Sequence, residues 1–121
     1  MRPATYQVEV EGVGTFTFRR RTMRDAPRIE QMMLDILGPS FRIASIGDDS
    51  AREYVANRAA QLAQLETLMV QSADGWSLDD LDPLDEDDVK VINKVYGRFL
   101  EEEERFRKGI AKERQGSGAA T

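Results

Sequence analysis

The chain contains no cysteine and no histidine. The first absence excludes disulfides, thiolate metal sites and cysteine nucleophiles. The second removes the usual zinc ligand and the usual general base. A surplus of positive charge is also missing. There are 17 basic residues against 22 acidic ones, a net charge of −5, which argues against a general nucleic-acid or membrane-surface binder. No apolar run approaches the roughly 20 residues that a membrane-crossing helix needs. Met1-Arg2-Pro3-Ala4-Thr5 leads straight into a strand pattern without the hydrophobic region of a signal peptide, so a cytoplasmic protein is expected.

What is present suffices for one domain. Of the 121 residues, 40% are hydrophobic, and at this length roughly two-thirds of the unfolded chain's surface can be buried. Tyr6, Val8 and Val10 alternate with Gln7, Glu9 and Glu11, and Phe16 and Phe18 alternate with Thr15, Thr17 and Arg19. This is the period of a half-buried strand. With Gly12-Val13-Gly14 between them, the two runs read as a β-hairpin over residues 5–19. A lone hairpin is marginal in water, so its apolar face must cover something.

Three helices follow in this reading. Thr22 and Asp25 have capping-box spacing, but Pro27 fits best in the first turn, which favours Asp25 as the N-cap and a helix over 26–37. Ile29, Met32, Met33, Ile36 and Leu37 form its apolar stripe, and Gly38-Pro39 ends it. Residues 38–48 form an irregular link, from which Phe41, Ile43 and Ile46 are expected to plug the core. A second helix is expected over 49–73, with Tyr54, Val55, Ala59, Leu62, Leu65, Leu68 and Met69 on its buried face. The last spans 85–113, marked by Val89, Ile92, Val95, Tyr96, Phe99 and Leu100. Such a helix is about 43 Å long, against a radius of gyration near 14 Å for a compact domain of this size, so its far end should overhang. Residues 113–121 read as a flexible tail. The fold class expected is therefore α+β, mostly α: one domain over residues 1–112, with an N-terminal hairpin packed on three main helices and the last helix long and partly overhanging.

Two charge runs invite a functional reading. Asp79, Asp80, Asp82, Asp85, Glu86, Asp87 and Asp88 lack the alternation, central glycine and terminal glutamate of a calcium-binding loop. Acids are favoured at a helix start by the helix dipole, so solvated capping is the reading taken, and no metal site is assigned. Glu101-Glu102-Glu103-Glu104 precedes Arg105, Arg107 and Lys108, which offers i,i+4 pairs such as Glu103–Arg107 and Glu104–Lys108. From Asp74 to Glu104 the net charge is −9, and the remainder carries +4. An anionic half of this kind steers towards basic partners and away from DNA. Arg19, Arg20, Arg21, Arg24 and Arg28 make the opposite patch, suited to phosphate or, preferably, to acids of the same chain or of a neighbour. Trp76, after a helix stop, pins a loop to the core or anchors a partner. Phe106 and Ile110 lie on the expected overhang, where a partner helix could cover them. No nucleophile stands beside a base, so no catalytic residue is assigned and an enzyme is not expected.

The order of these features resembles that of the small tail assembly chaperones of long-tailed bacteriophages and prophages. The phrases that carry the resemblance are Thr15-Phe16-Thr17-Phe18-Arg19-Arg20, Thr22-Met23-Arg24-Asp25 with Arg28-Ile29-Glu30, Leu65-Glu66-Thr67-Leu68-Met69-Val70, and Asp74-Gly75-Trp76-Ser77-Leu78-Asp79-Asp80-Leu81-Asp82-Pro83 before a last amphipathic helix. The resemblance covers about residues 5–108, and Pro27 and the strength of the acidic loop set this chain apart from it. It implies a non-catalytic protein without cofactors that binds the tape measure protein, helps recruit tail tube subunits and is absent from the finished virion. In some of these families frameshifting yields a longer form. Phe99, Phe106 and Ile110 are the expected client contacts, with Trp76 and Arg19, Arg20 and Arg21 as further partner-binding candidates and a homo-oligomer left open. The rival classes are a structural tail or head-tail connector component of the virion and a small nucleic-acid-binding regulator.

Overall fold

The structure is a computed structural model that describes residues 4–38 and 49–119. The chain is mostly helical, with three helices and a small antiparallel sheet among the described residues. It divides into two compact units, Met1–Arg20 with Val70–Thr121, and Arg21–Met69, where the sequence reading takes residues 1–112 as one domain. Phe41, Ile43 and Ile46, expected as core plugs, lie outside the described residues.

The first unit is built on strands β1 (Thr5–Val10) and β2 (Gly14–Arg19). They pair antiparallel from Thr5 opposite Arg19 to Val10 opposite Gly14. The period-two pattern decides their faces. Val8, Val10, Phe16 and Phe18 are buried, while Gln7, Glu9 and Thr15 are exposed. The Val13 N–H donates to the Val10 carbonyl at 3.0 Å, and Gly12, inside this turn, has φ +79°, a conformation that glycine adopts without steric cost. A third strand, β3 (Met69–Gln71), completes the sheet in the order β1-β2-β3.

The last helix, α3 (Glu86–Ala119), packs on β1. Ile92, Val95 and Phe99 are buried on it at helical spacing. The Phe99 ring lies 4.7 Å from that of Phe18, and Phe106 stacks on Tyr6 at 4.6 Å. The helix is about 51 Å long and includes residues 113–119, which the sequence reading assigns to a flexible tail.

The second unit holds α1 (Asp25–Leu37) and α2 (Asp49–Leu68), packed against each other. The expected helix over 49–73 thus ends five residues early, and its last residues become β3. A β-branched valine at position 70 suits a strand, and the second edge of β2 supplies the pairing partner.

Asp25 opens α1 rather than capping it from outside. The preceding turn is closed by the Asp25 N–H on the Thr22 carbonyl at 3.0 Å. In return, the buried Asp25 carboxylate accepts the Thr22 N–H at 2.7 Å and the Thr22 hydroxyl at 3.1 Å. This is the backward half of a capping box, and it leaves Pro27 in the first turn. Removing the carboxylate with Asp25→Ala strands these donors and should cost about 1–2 kcal/mol. Asp25→Asn, which keeps one acceptor, should cost less. Urea unfolding midpoints at unchanged m-value measure both.

Candidate functional site

The acidic loop is engaged with the main chain of its own neighbourhood. Ser77 Oγ accepts the Asp79 N–H at 3.2 Å at the start of a short 3-10 turn, Leu78–Asp80. Asp82 Oδ1 accepts the Leu84 N–H at 2.9 Å, and the Asp82 N–H donates to Asp88 Oδ2 at 2.8 Å. Asp85 is the cap of α3: its Oδ1 takes the Asp87 N–H at 3.1 Å and its carbonyl takes the Val89 N–H at 3.0 Å. These bonds satisfy donors that a helix start otherwise leaves free. Among the described residues no group of three or more acidic side chains is arranged to hold a metal ion.

The second acidic run forms a ladder along α3. Arg98 meets Glu101 at 2.6 Å and Glu102 at 3.0 Å, and Arg105 meets Glu102 at 2.8 Å. Glu103–Arg107 and Glu104–Lys108 close at 3.7 and 3.2 Å. Helix pairs at this spacing each contribute about 0.2–0.5 kcal/mol. The hydrogen bond to Glu101 raises the Arg98 pKa above its ordinary value; partial desolvation opposes it and Glu102 adds to it.

The aromatic candidates divide. Phe99 is fully buried, ringed by Phe18 and, at 6.0 Å, Tyr96. It belongs to the core, and its place among the expected client contacts is corrected accordingly. Helical periodicity alone cannot tell a core stripe from a docking stripe. Phe106 is half-buried and its face is taken by Tyr6, so the hairpin reaches a position expected to overhang. Ile110 is half-buried, and Ala111 and Lys112 beyond it are exposed. Trp76 meets Phe16 edge-on at 4.9 Å. Its main-chain carbonyl accepts the Ser72 hydroxyl at 3.0 Å and its main-chain N–H donates to the Ala73 carbonyl at 3.0 Å. Those contacts pin the loop to the hairpin.

The arginines do not form one patch within one unit. Arg19 and Arg20 belong to the first unit, Arg21, Arg24 and Arg28 to the second. Arg19, Arg20 and Arg21 are half-buried. Arg21 donates to Gln64 Oε1 at 2.8 Å, and the Arg20 N–H extends the hairpin ladder to the Ala4 carbonyl at 2.8 Å.

Open apolar surface lies along α1 and on α2. Only Asp25 is buried in α1. Along its stripe, Ile29, Met32, Met33 and Leu37 are half-buried and Ile36 is 42% exposed. On α2, Tyr54 and Val55, expected on the buried face, are 60% and 44% exposed, whereas Ala59, Leu65 and Leu68 are buried as expected and Ala63 joins them. The Arg58 guanidinium lies 5.9 Å from the Tyr54 ring centre, a cation–π contact that covers part of that ring. Met23, just before α1, is 95% exposed. Paired methionines in the stripe were the available signal, because methionine is favoured at adaptable binding surfaces. Among the described residues no helix is long and apolar enough to cross a membrane. No protein-family model, no curated protein and no solved structure matches the chain.

Proposed function

We propose that the chain is a non-catalytic holding protein, a phage tail assembly chaperone that keeps the tape measure protein soluble in the host cytoplasm and assists tail tube assembly. The observation that carries this reading is the half-open stripe of α1. A helix patterned to bury Ile29, Met32, Met33, Ile36 and Leu37 buries none of them fully. An amphipathic client helix laid along that stripe would complete the burial at about 25 cal/mol for each Å² of apolar surface covered. Flexible methionine side chains adapt to helices of differing sequence, as a long client requires. The net charge of −5 supports solubility while apolar surface stays exposed.

The test is a pull-down with a co-expressed tape measure fragment. Met32→Asp with Ile36→Asp should abolish capture, whereas Ile110→Asp on α3 should reduce it little. Capture unchanged by the α1 pair removes the surface assigned here. Mass spectrometry of purified particles addresses the structural alternative, since a chaperone should be missing from them.

A further inference from the structure

β1 is an outer strand of the sheet, and a terminal strand presents a row of main-chain donors and acceptors to any passing strand. The hairpin register tells which groups those are. The Arg20 N–H bonds the Ala4 carbonyl, so residue 4 belongs to a hydrogen-bonded pair. Such pairs recur every second residue in an antiparallel ladder. Tyr6, Val8 and Val10 therefore exchange bonds with β2, and the main-chain groups of Gln7 and Glu9 point to the open side. The Glu11 carbonyl continues that row at the turn.

Two cations from α3 occupy this row. The Arg98 Nε–H donates to the Glu9 carbonyl at 3.1 Å, and Lys94 Nζ donates to the Glu11 carbonyl. The match is metric. Four residues of helix rise about 6.0 Å, and two residues of strand advance about 6.7 Å, so side chains one turn apart meet alternate carbonyls. Arg98 is also held in place: its Nη1 is bonded to Glu101 and its Nη2 to Glu102, which leaves Nε–H for the strand. Charged groups beside a strand edge are a recognised way of keeping it from pairing.

We propose that Lys94 and Arg98 guard the outer edge of β1, closing it to antiparallel pairing with β1 of a second copy of this chain. The occupant excluded is another copy because the row is self-complementary. β1 of a second molecule, running antiparallel, offers the same N–H and C=O groups at the same spacing, as in any isologous contact. Glu101 and Glu102 act as positioning residues for the guanidinium.

Sedimentation velocity on the full chain tests this. Lys94→Met with Arg98→Met keeps the long stems and removes the donors. It should raise the self-association constant at least about tenfold over the native chain. Adding Glu9→Pro should return it to the native value, because proline removes the outward N–H and is tolerated on an edge. A double variant with native helical circular dichroism and native hydrodynamic size overturns the proposal. So does association that survives Glu9→Pro, since the new methionines would then be the adhesive. Should the double variant fail to fold, Lys94→Met and Arg98→Met made singly decide the matter. Each must raise association, and no rise in either overturns the guard.

Discussion

Phe99→Ala should be among the most destabilising single changes in this protein, costing about 3–5 kcal/mol. The ring is fully buried between the hairpin and the helix that covers it, 4.7 Å from Phe18. Its removal opens a cavity whose walls, β1–β2 on one side and α3 on the other, are tied by main-chain ladders and cannot collapse into it. A domain of ordinary stability has about 5–15 kcal/mol in total, so the first unit should be close to unfolding. Trp76, which rests on Phe16 of the same unit, supplies a fluorescence readout for urea titration. Phe99→Leu, closer in volume, should cost about 1.5 kcal/mol or less. A Phe99→Ala variant of native stability that failed only in client capture would return this residue to the surface.

Gly14→Ala is the second large effect, and its cause is different. A Cβ built at Gly14 falls 2.6 Å from the Ala73 Cβ, closer than real side chains approach, and the glycine has φ +143°. The clash costs about 1–3 kcal/mol when neighbours must shift, and the backbone strain roughly 1–2 kcal/mol more. A total of about 2–5 kcal/mol follows. The two parts are separable. Ala73→Gly in the Gly14→Ala background relieves the clash and leaves the strain. A double-mutant cycle should therefore show a favourable coupling of about 1–3 kcal/mol. A coupling near zero would mean that the loop at Ala73 moves away freely, and that the close approach of β2 to this loop contributes nothing to stability.

These two residues illustrate how unevenly the chain discloses its structure. The hairpin could be read directly, because Val8, Val10, Phe16 and Phe18 repeat with period two and a one-residue slip would expose them all. The role of Asp85 as a helix cap and the Glu103–Arg107 and Glu104–Lys108 pairs were equally open to reading, since each depends on neighbours within four residues. Phe99, expected on the client surface, lies in the core for the opposite reason. It shares one stripe of α3 with Phe106, and nothing local says how far along that stripe the hairpin extends. Tyr6 decides it, from 100 positions away, by stacking on Phe106. β3 was missed because three residues are too few to show a period; Met69–Gln71 becomes a strand only where β2 offers an unpaired edge.

The candidate site follows the same division. Periodicity locates the stripe of Ile29, Met32, Met33, Ile36 and Leu37 but does not say how much of it is covered. How far a stripe is covered depends on what stands opposite, and α2 places its small alanines, Ala59 and Ala63, in the buried positions while Tyr54 and Val55 stay open. By itself the amino-acid sequence determined the secondary structure that short-range order controls: alternation in the strands, caps and charge ladders in the helices, and a chain without cysteine or histidine chemistry. Only the tertiary structure decided which apolar residues are core and which remain open, and that Lys94 and Arg98 meet the edge of β1. Burial and main-chain contact at long range depend on the distance between elements, and no periodicity within one element records that distance.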